Sequence, residues 1–275
     1  MATTYDIDQF VDEWRINGFV VFEDFIPEEK IDIIRDAWLP IRDAAVAKQG
    51  VNSPAGAKRY NVRVPFERPF VDPDIFEHPD LVQFVERVLC SDYVWSEFDA
   101  NIPMPGCTEY QIWHHDAYLP FPGLVTPAFT IGAKFPLVDT SEENGSIEII
   151  PATQYVADKD LIRRPGAESM DRLFGKGSEP RGRYKSTRLN LKKGSLWVHD
   201  SRVIHRGTPN LSTAPRDELC MAICRPWFFS NWHHEHTEPH FSRELWDSLS
   251  DHARQVLRRQ RVKKAITKTS NSGTS

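Results

Sequence analysis

From residue 92 to residue 228 the chain reads as a series of short β-forming runs. They fall near 92–100, 108–115, 128–137, 145–150, 195–199, 203–206 and 218–228, punctuated by Pro, Gly and Asn. Helical patterns precede them. Phe10, Val11 and Trp14 share a face over 6–16, which Asn17-Gly18 closes; Ile31, Ile34, Trp38 and Ile41 follow Pro27; Leu81, Phe84, Val85, Val88 and Leu89 stripe the stretch from about Pro79 to Cys90. "FVVFEDF" (19–25) reads as a short strand, 50–76 as a long covering loop, and Trp246, Leu249, Ala253 and Val256 as a last helix. Many short strands with helices on either side predict a mostly β fold, a jelly-roll core braced by N-terminal and C-terminal α-helices. No repeat or long linker divides the chain, so one domain is expected over 1–262, with a polar, disordered tail over 263–275.

A net charge of −5 gives no electrostatic reason to bind nucleic acid or an anionic membrane. No run of eighteen apolar residues offers a membrane span. The opening "MATTYDIDQF" lacks the basic and apolar regions of a signal peptide. Cys90, Cys107, Cys220 and Cys224 are scattered, and the last two lie in an apolar run that suits buried thiols better than a zinc pair. These readings lead to the expectation of a cytoplasmic protein.

Chemistry concentrates in "QIWHHDAYLP" (111–120). On an extended strand, side chains two apart share a side, so His114 and Asp116 offer two donors together while His115 points away. The pair alone is weak evidence for a metal. "GSLWVHDSRVIHRGTPNLSTAPR" (194–216) supplies a distant partner, His205, and Arg216 eleven residues beyond it. Two imidazoles and a carboxylate form the facial set of non-haem Fe(II) oxygenases, with three metal positions left for a bidentate 2-oxoacid and O2. A guanidinium pairs with the acid's far carboxylate through two parallel hydrogen bonds, a role Arg216 is placed to fill.

W-H-x-D, then "ENGSIEIIPATQ" (143–154), then H-x-G-x-x-N-x-S with an arginine at H-x10-R, resembles the phytanoyl-CoA dioxygenase family of Fe(II)/2-oxoglutarate-dependent oxygenases over roughly residues 8–230. The resemblance implies a double-stranded β-helix, with His114, Asp116 and His205 as iron ligands and Arg216 as the 2-oxoglutarate anchor. It implies Fe(II), 2-oxoglutarate and O2 as cofactor and co-substrates, with ascorbate stimulating turnover. Asn101, Gln111, Lys134 and Trp197 are candidates for further 2-oxoglutarate contacts. Gly207 stands where the family often carries a small hydroxyl, and Pro151-Ala152-Thr153-Gln154 where it commonly has P-G-S-H. The implied reaction is hydroxylation of a C–H bond in a small organic metabolite, releasing succinate and CO2. In halogenating relatives a small residue replaces the carboxylate; here Asp116 fills that position.

Rival readings are a cupin-like metal hydrolase or isomerase, which has no use for Arg216, and a catalytically silent binding module. His199 and the "NWHHEH" cluster (231–236) are rival metal donors, the first better suited to supporting the site and the second to a solvated loop. The segment 158–190 carries nine Lys or Arg against five acids, a balance of +4. It reads either as a solvated loop or as a lid that attracts an anionic substrate. Tyr118, Arg181, Arg183, Arg188 and Trp227 are the substrate candidates; oligomeric state is left open.

Overall fold

The computed structural model describes residues 5–53, 55–117, 121, 124–156, 184–228 and 241–260. The substrate candidates Tyr118, Arg181 and Arg183, most of the expected lid, the 231–236 histidines and the 263–275 tail lie outside them.

Helix α1 (Ile7–Asn17) begins where the Asp6 side chain accepts from Gln9 N and stops at Gly18, whose φ of 84° suits glycine. After β1 (Phe19–Phe22), α2 (Glu28–Gln49) buries Ile31, Ile34 and Trp38. The region 50–76, expected to be loop, instead forms a small hairpin, β2 (Asn52–Ser53) and β3 (Gly56–Ala57), then β4 (Arg59–Arg63) and the short α3 (Pro73–Phe76). Tyr60 and Val62 alternate with polar residues, the pattern of a half-buried edge strand, but the flanking Gly and Pro obscure it. Helix α4 (Pro79–Val88) is followed by β5 (Val94–Pro103), β6 (Thr130–Pro136), β7 (Glu148–Ile150), β8 (Thr187–Arg188), β9 (Leu196–Asp200), β10 (Ile204–Arg206) and β11 (Glu218–Cys224). The expected last helix is two, α5 (Arg243–Ser248) and α6 (Asp251–Val256), the second restarted by the cap of Ser250 on Ala253 N.

Six antiparallel strands form one sheet in the order β1-β9-β6-β11-β5-β4, and β10-β7-β8 form a second. This is the expected jelly roll. Period-two alternation divides the large sheet's faces. Leu219, Met221, Ile223, Ile131, Ala133, Phe135, Leu196 and Val198 lie in one apolar cluster with residues of α1, α2 and α4. The other face carries rows of paired residues: Asp99, Cys220, Lys134 and Trp197 in one, Glu97, Ala222, Gly132 and His199 in the next. Trp197 also joins Ile147, Ile149, Leu189, Leu191 and Val203 in a second cluster that bridges to the small sheet. Apolar and polar faces thus come from alternate residues of the same strands, and the titratable rows lie on the inner one. Among the described residues no helix is long and apolar enough to cross a membrane.

Candidate metal centre

The expected strand at 108–115 is absent; 111–117 instead runs beside 201–207 through separate contacts. Gln111 N donates to Gly207 O, His114 and His205 exchange both backbone hydrogen bonds (3.0 and 2.9 Å), and Asp116 N donates to Ser201 O at 2.7 Å. That pairing brings residues ninety-one positions apart in the chain side by side.

The ligand atoms of His114, Asp116 and His205 all lie within 4.8 Å of one another. Asp116 Oδ1 is 3.8 Å from His114 Nε2, and its Oδ2 is 3.6 Å from His205 Nε2. Each histidine has Nδ1 against a backbone carbonyl, Ile112 O at 2.8 Å and Val203 O at 3.0 Å. An Nδ1–H donated there leaves Nε2 with its lone pair directed at the shared space, which is the tautomer a metal needs. The His205 side chain is 3% exposed and those of His114 and Asp116 are 36% and 39%, so the group opens on one side. Burial holds both imidazoles below the ordinary histidine range, against the opposing pull of Asp116. Partial burial works against the Asp116 carboxylate, but the Lys134 ammonium beside it outweighs that and holds the group below the ordinary carboxylate range. Deprotonated ligands without pH adjustment fit a divalent first-row ion.

His199 is nearer than sequence spacing suggests. Its Nε2 is 3.7 Å from Asp116 Oδ2, its ring stacks on Trp197 at 4.6 Å, and burial lowers its pKa to about 3. It falls outside the trio whose ligand atoms are mutually close. The room it occupies exists because residue 132 is glycine: a Cβ there would collide with its Nε2.

Arg216 is 1% exposed and faces inward from the chain leading into β11. Nη2 donates to Gly145 O at 3.0 Å, while Nε and Nη1 have no hydrogen-bond partner. Nε is unfilled and Nη1 faces Glu218 Oε2 at 3.1 Å without a well-formed hydrogen bond, which leaves this buried guanidinium with donor capacity that suits a carboxylate. The further candidates are differently placed. Lys134 Nζ lies 3.6 Å from Asp116 Oδ2 and 5.0 Å from the centre of the Trp197 ring. Trp197 Nε1 donates to Glu218 Oε1 at 3.0 Å, Asn101 Nδ2 to Cys220 Sγ at 3.0 Å, and Gln111 Oε1 accepts from Gly207 N at 2.8 Å. Gly207 has its own reason: any side chain there would meet the Arg59 guanidinium and the Gln111 amide. Arg188 lies on β8, donating from Nη2 to Thr208 Oγ1 at 2.6 Å, so the end of the expected lid is part of the small sheet. Trp227 is 59% exposed with its ring 5.8 Å from Phe129, and Trp113 is buried beneath the Arg206 guanidinium at 4.0 Å.

Sequence reasoning missed Glu218 and Arg59. Glu218 is buried with its Oε2 3.1 Å from Arg216 Nη1; an acid two residues past the arginine, opening an apolar strand, was the available signal. Arg59 donates to Thr208 O at 2.7 Å from an edge strand that was itself missed.

The family described as phytanoyl-CoA dioxygenase (PhyH) matches residues 14–217. Among solved structures, the non-heme alpha ketoglutarate dependent carbocyclase SnoK from nogalamycin biosynthesis superposes with a TM-score of 0.61 at 16% identity, covering 87% of this chain and 95% of its own. AviO1 from Streptomyces viridochromogenes Tue57 gives 0.58 at 15% identity, covering 83% and 99%. The epimerase SnoN in complex with Fe3+, alpha ketoglutarate and nogalamycin RO gives 0.56 at 16% identity, covering 79% and 83%. At these identities the structural likeness carries the fold.

Proposed function

The chain belongs to the phytanoyl-CoA dioxygenase family and is an Fe(II)/2-oxoglutarate-dependent enzyme, and from that premise we propose that it hydroxylates a C–H bond of a small organic substrate, forming succinate and CO2. The observation that carries this reading is the convergence of His114, Asp116 and His205, with both imidazoles tied at Nδ1. In it these three hold the iron, and the Arg216 guanidinium pairs with the distal carboxylate of 2-oxoglutarate. The iron, when bound, supplies the activation of O2 coupled to decarboxylation of the oxoacid.

The protein's own part is to position and to exclude. The Ile112 and Val203 carbonyls fix the imidazoles, and Lys134, with a pKa raised by Asp116 against the pull of burial, holds the carboxylate beside it. The apolar residues flanking the centre in sequence, Ile112, Phe121, Leu124 and Val125, are about half exposed or more and suit the body of an organic substrate. Tyr118, Arg181, Arg183 and Trp227 remain proposed substrate contacts, with a carboxylate or phosphate on the substrate answering the +4 segment. Hydroxylation is preferred because Asp116 completes the ligand set. SnoN is an epimerase and SnoK a carbocyclase, so inversion or ring closure is the alternative outcome on this scaffold. A metabolite screen with Fe(II), ascorbate and 2-oxoglutarate, read by substrate-dependent succinate and the mass of the product, tests this. A gain of one oxygen atom supports hydroxylation; an unchanged mass or a loss of two hydrogens rejects it.

A further inference from the structure

Arg216 already has a carboxylate beside it. Glu218 is 1% exposed and two residues further along an extended segment, so both side chains project to the inner face. Its Oε2 is 3.1 Å from Arg216 Nη1, but neither atom makes a hydrogen bond of good geometry. Its Oε1 accepts from Trp197 Nε1, which fixes the carboxylate in that position. A buried ion pair without its hydrogen bonds compensates poorly for desolvation, so the pair is neutral in charge but incompletely satisfied.

We infer that Glu218 shares the Arg216 guanidinium with the distal carboxylate of the oxoacid and thereby holds down both the affinity for 2-oxoglutarate and the preference for it over oxoacids that end in a methyl group. This rests on the proposed role of Arg216. With the subsite empty, Glu218 balances a buried positive charge. When a dicarboxylic oxoacid enters, two carboxylates meet at one guanidinium in a water-poor site, and their repulsion weakens binding. A 2-oxoacid with a methyl in place of the distal carboxylate meets no such repulsion and leaves the ion pair intact. Trp197, read from sequence as a 2-oxoglutarate contact, acts on this account through Glu218.

The test is calorimetric titration of the full chain, loaded with Mn(II), with 2-oxoglutarate and with 2-oxopentanoate, the same acid lacking the distal carboxylate. Wild type, Glu218→Gln and Arg216→Ala are compared. Gln keeps the volume and the acceptor for Trp197 Nε1 while removing the charge. Glu218→Gln is expected to tighten 2-oxoglutarate by about tenfold or more and to change 2-oxopentanoate by less than about twofold. Equal changes for both acids, or unchanged or weaker 2-oxoglutarate binding, overturn the inference. Arg216→Ala separates the two levels. Selective loss of 2-oxoglutarate there keeps the anchor whatever Glu218→Gln does, whereas no change removes the anchor and the inference with it. Should thermal melting find Glu218→Gln unfolded, the neutral Glu218→Asn carries the same expectations and the same refutations.

Discussion

Two backbone carbonyls, those of Ile112 and Val203, determine which nitrogen His114 and His205 offer to the shared space. Their burial has a measurable consequence. The folded-state pKa values of His114, His205 and His199 lie below 6.5, that of His199 at about 3. Below about pH 6.5 the unfolded chain therefore binds protons that the folded chain does not, and folding stability must fall as pH is lowered. His199 and His205, almost wholly enclosed, each contribute up to roughly 1.4 kcal/mol per pH unit, and the more exposed His114 contributes less. Urea unfolding of the metal-free protein at pH 7.5, 6.5 and 5.5 should show stability nearly level over the first step and reduced over the second; a flat profile contradicts the buried neutral imidazoles. At Arg216, replacement by Ala should weaken 2-oxoglutarate binding by roughly 2–3 kcal/mol, with iron affinity little changed, and Lys should restore it only in part for want of a planar fork. Oxoacid and metal titrations of both variants check this.

Strands and helices hold these residues through a few contacts that can be broken one at a time. Asp217, between the two inward-facing residues Arg216 and Glu218, points the other way and ties β11 to α2: it accepts from Trp38 Nε1 at 3.1 Å and Arg42 Nη1 at 2.8 Å. Asp217→Ala leaves a buried indole N–H without an acceptor and should cost about 2–4 kcal/mol in urea unfolding; a loss under about 0.5 kcal/mol would show that the helix docks by apolar contact alone. On β6, Gly132→Ala drives a methyl into His199, and such overpacking costs about 1–3 kcal/mol. Its effect on metal affinity should exceed that of Ala133→Gly, whose side chain lies in the helix-side cluster, and equal effects in a metal titration would count against His199 supporting the centre. The same elements show what sequence reveals. Helices α1, α2 and α4 were legible because their apolar residues recur at helical spacing over several turns. Strand β4 was not, being five residues between Gly- and Pro-rich flanks. The strand expected at 108–115 failed differently: the stretch makes a single bridge, His114 to His205 of β10, and pairing partners cannot be read from local composition.

In the molecule as a whole, His114, Asp116, His205 and Arg216 stood out in the sequence because the proposed chemistry restricts such residues to few types at fixed spacings, and the structure brings the first three within reach of one ion. Their supports were not, since Lys134, His199 and Glu218 acquire meaning only when β6, β9 and β11 are laid side by side. Glu218 in particular looks like the polar start of a strand until Trp197, twenty-one residues earlier, reaches it. The large sheet separates the two jobs, with stability on its helix-covered face and chemistry within. The central claim is that His114, Asp116 and His205 form a metal centre on which 2-oxoglutarate binding depends. Anaerobic equilibrium dialysis of labelled 2-oxoglutarate against the full chain, with and without Fe(II), in wild type and His205→Ala, tests it most directly. The account predicts about one 2-oxoglutarate retained per chain with Fe(II), little without it, and little in His205→Ala under either condition. Equal retention with and without the metal, or full retention by the variant, would contradict it.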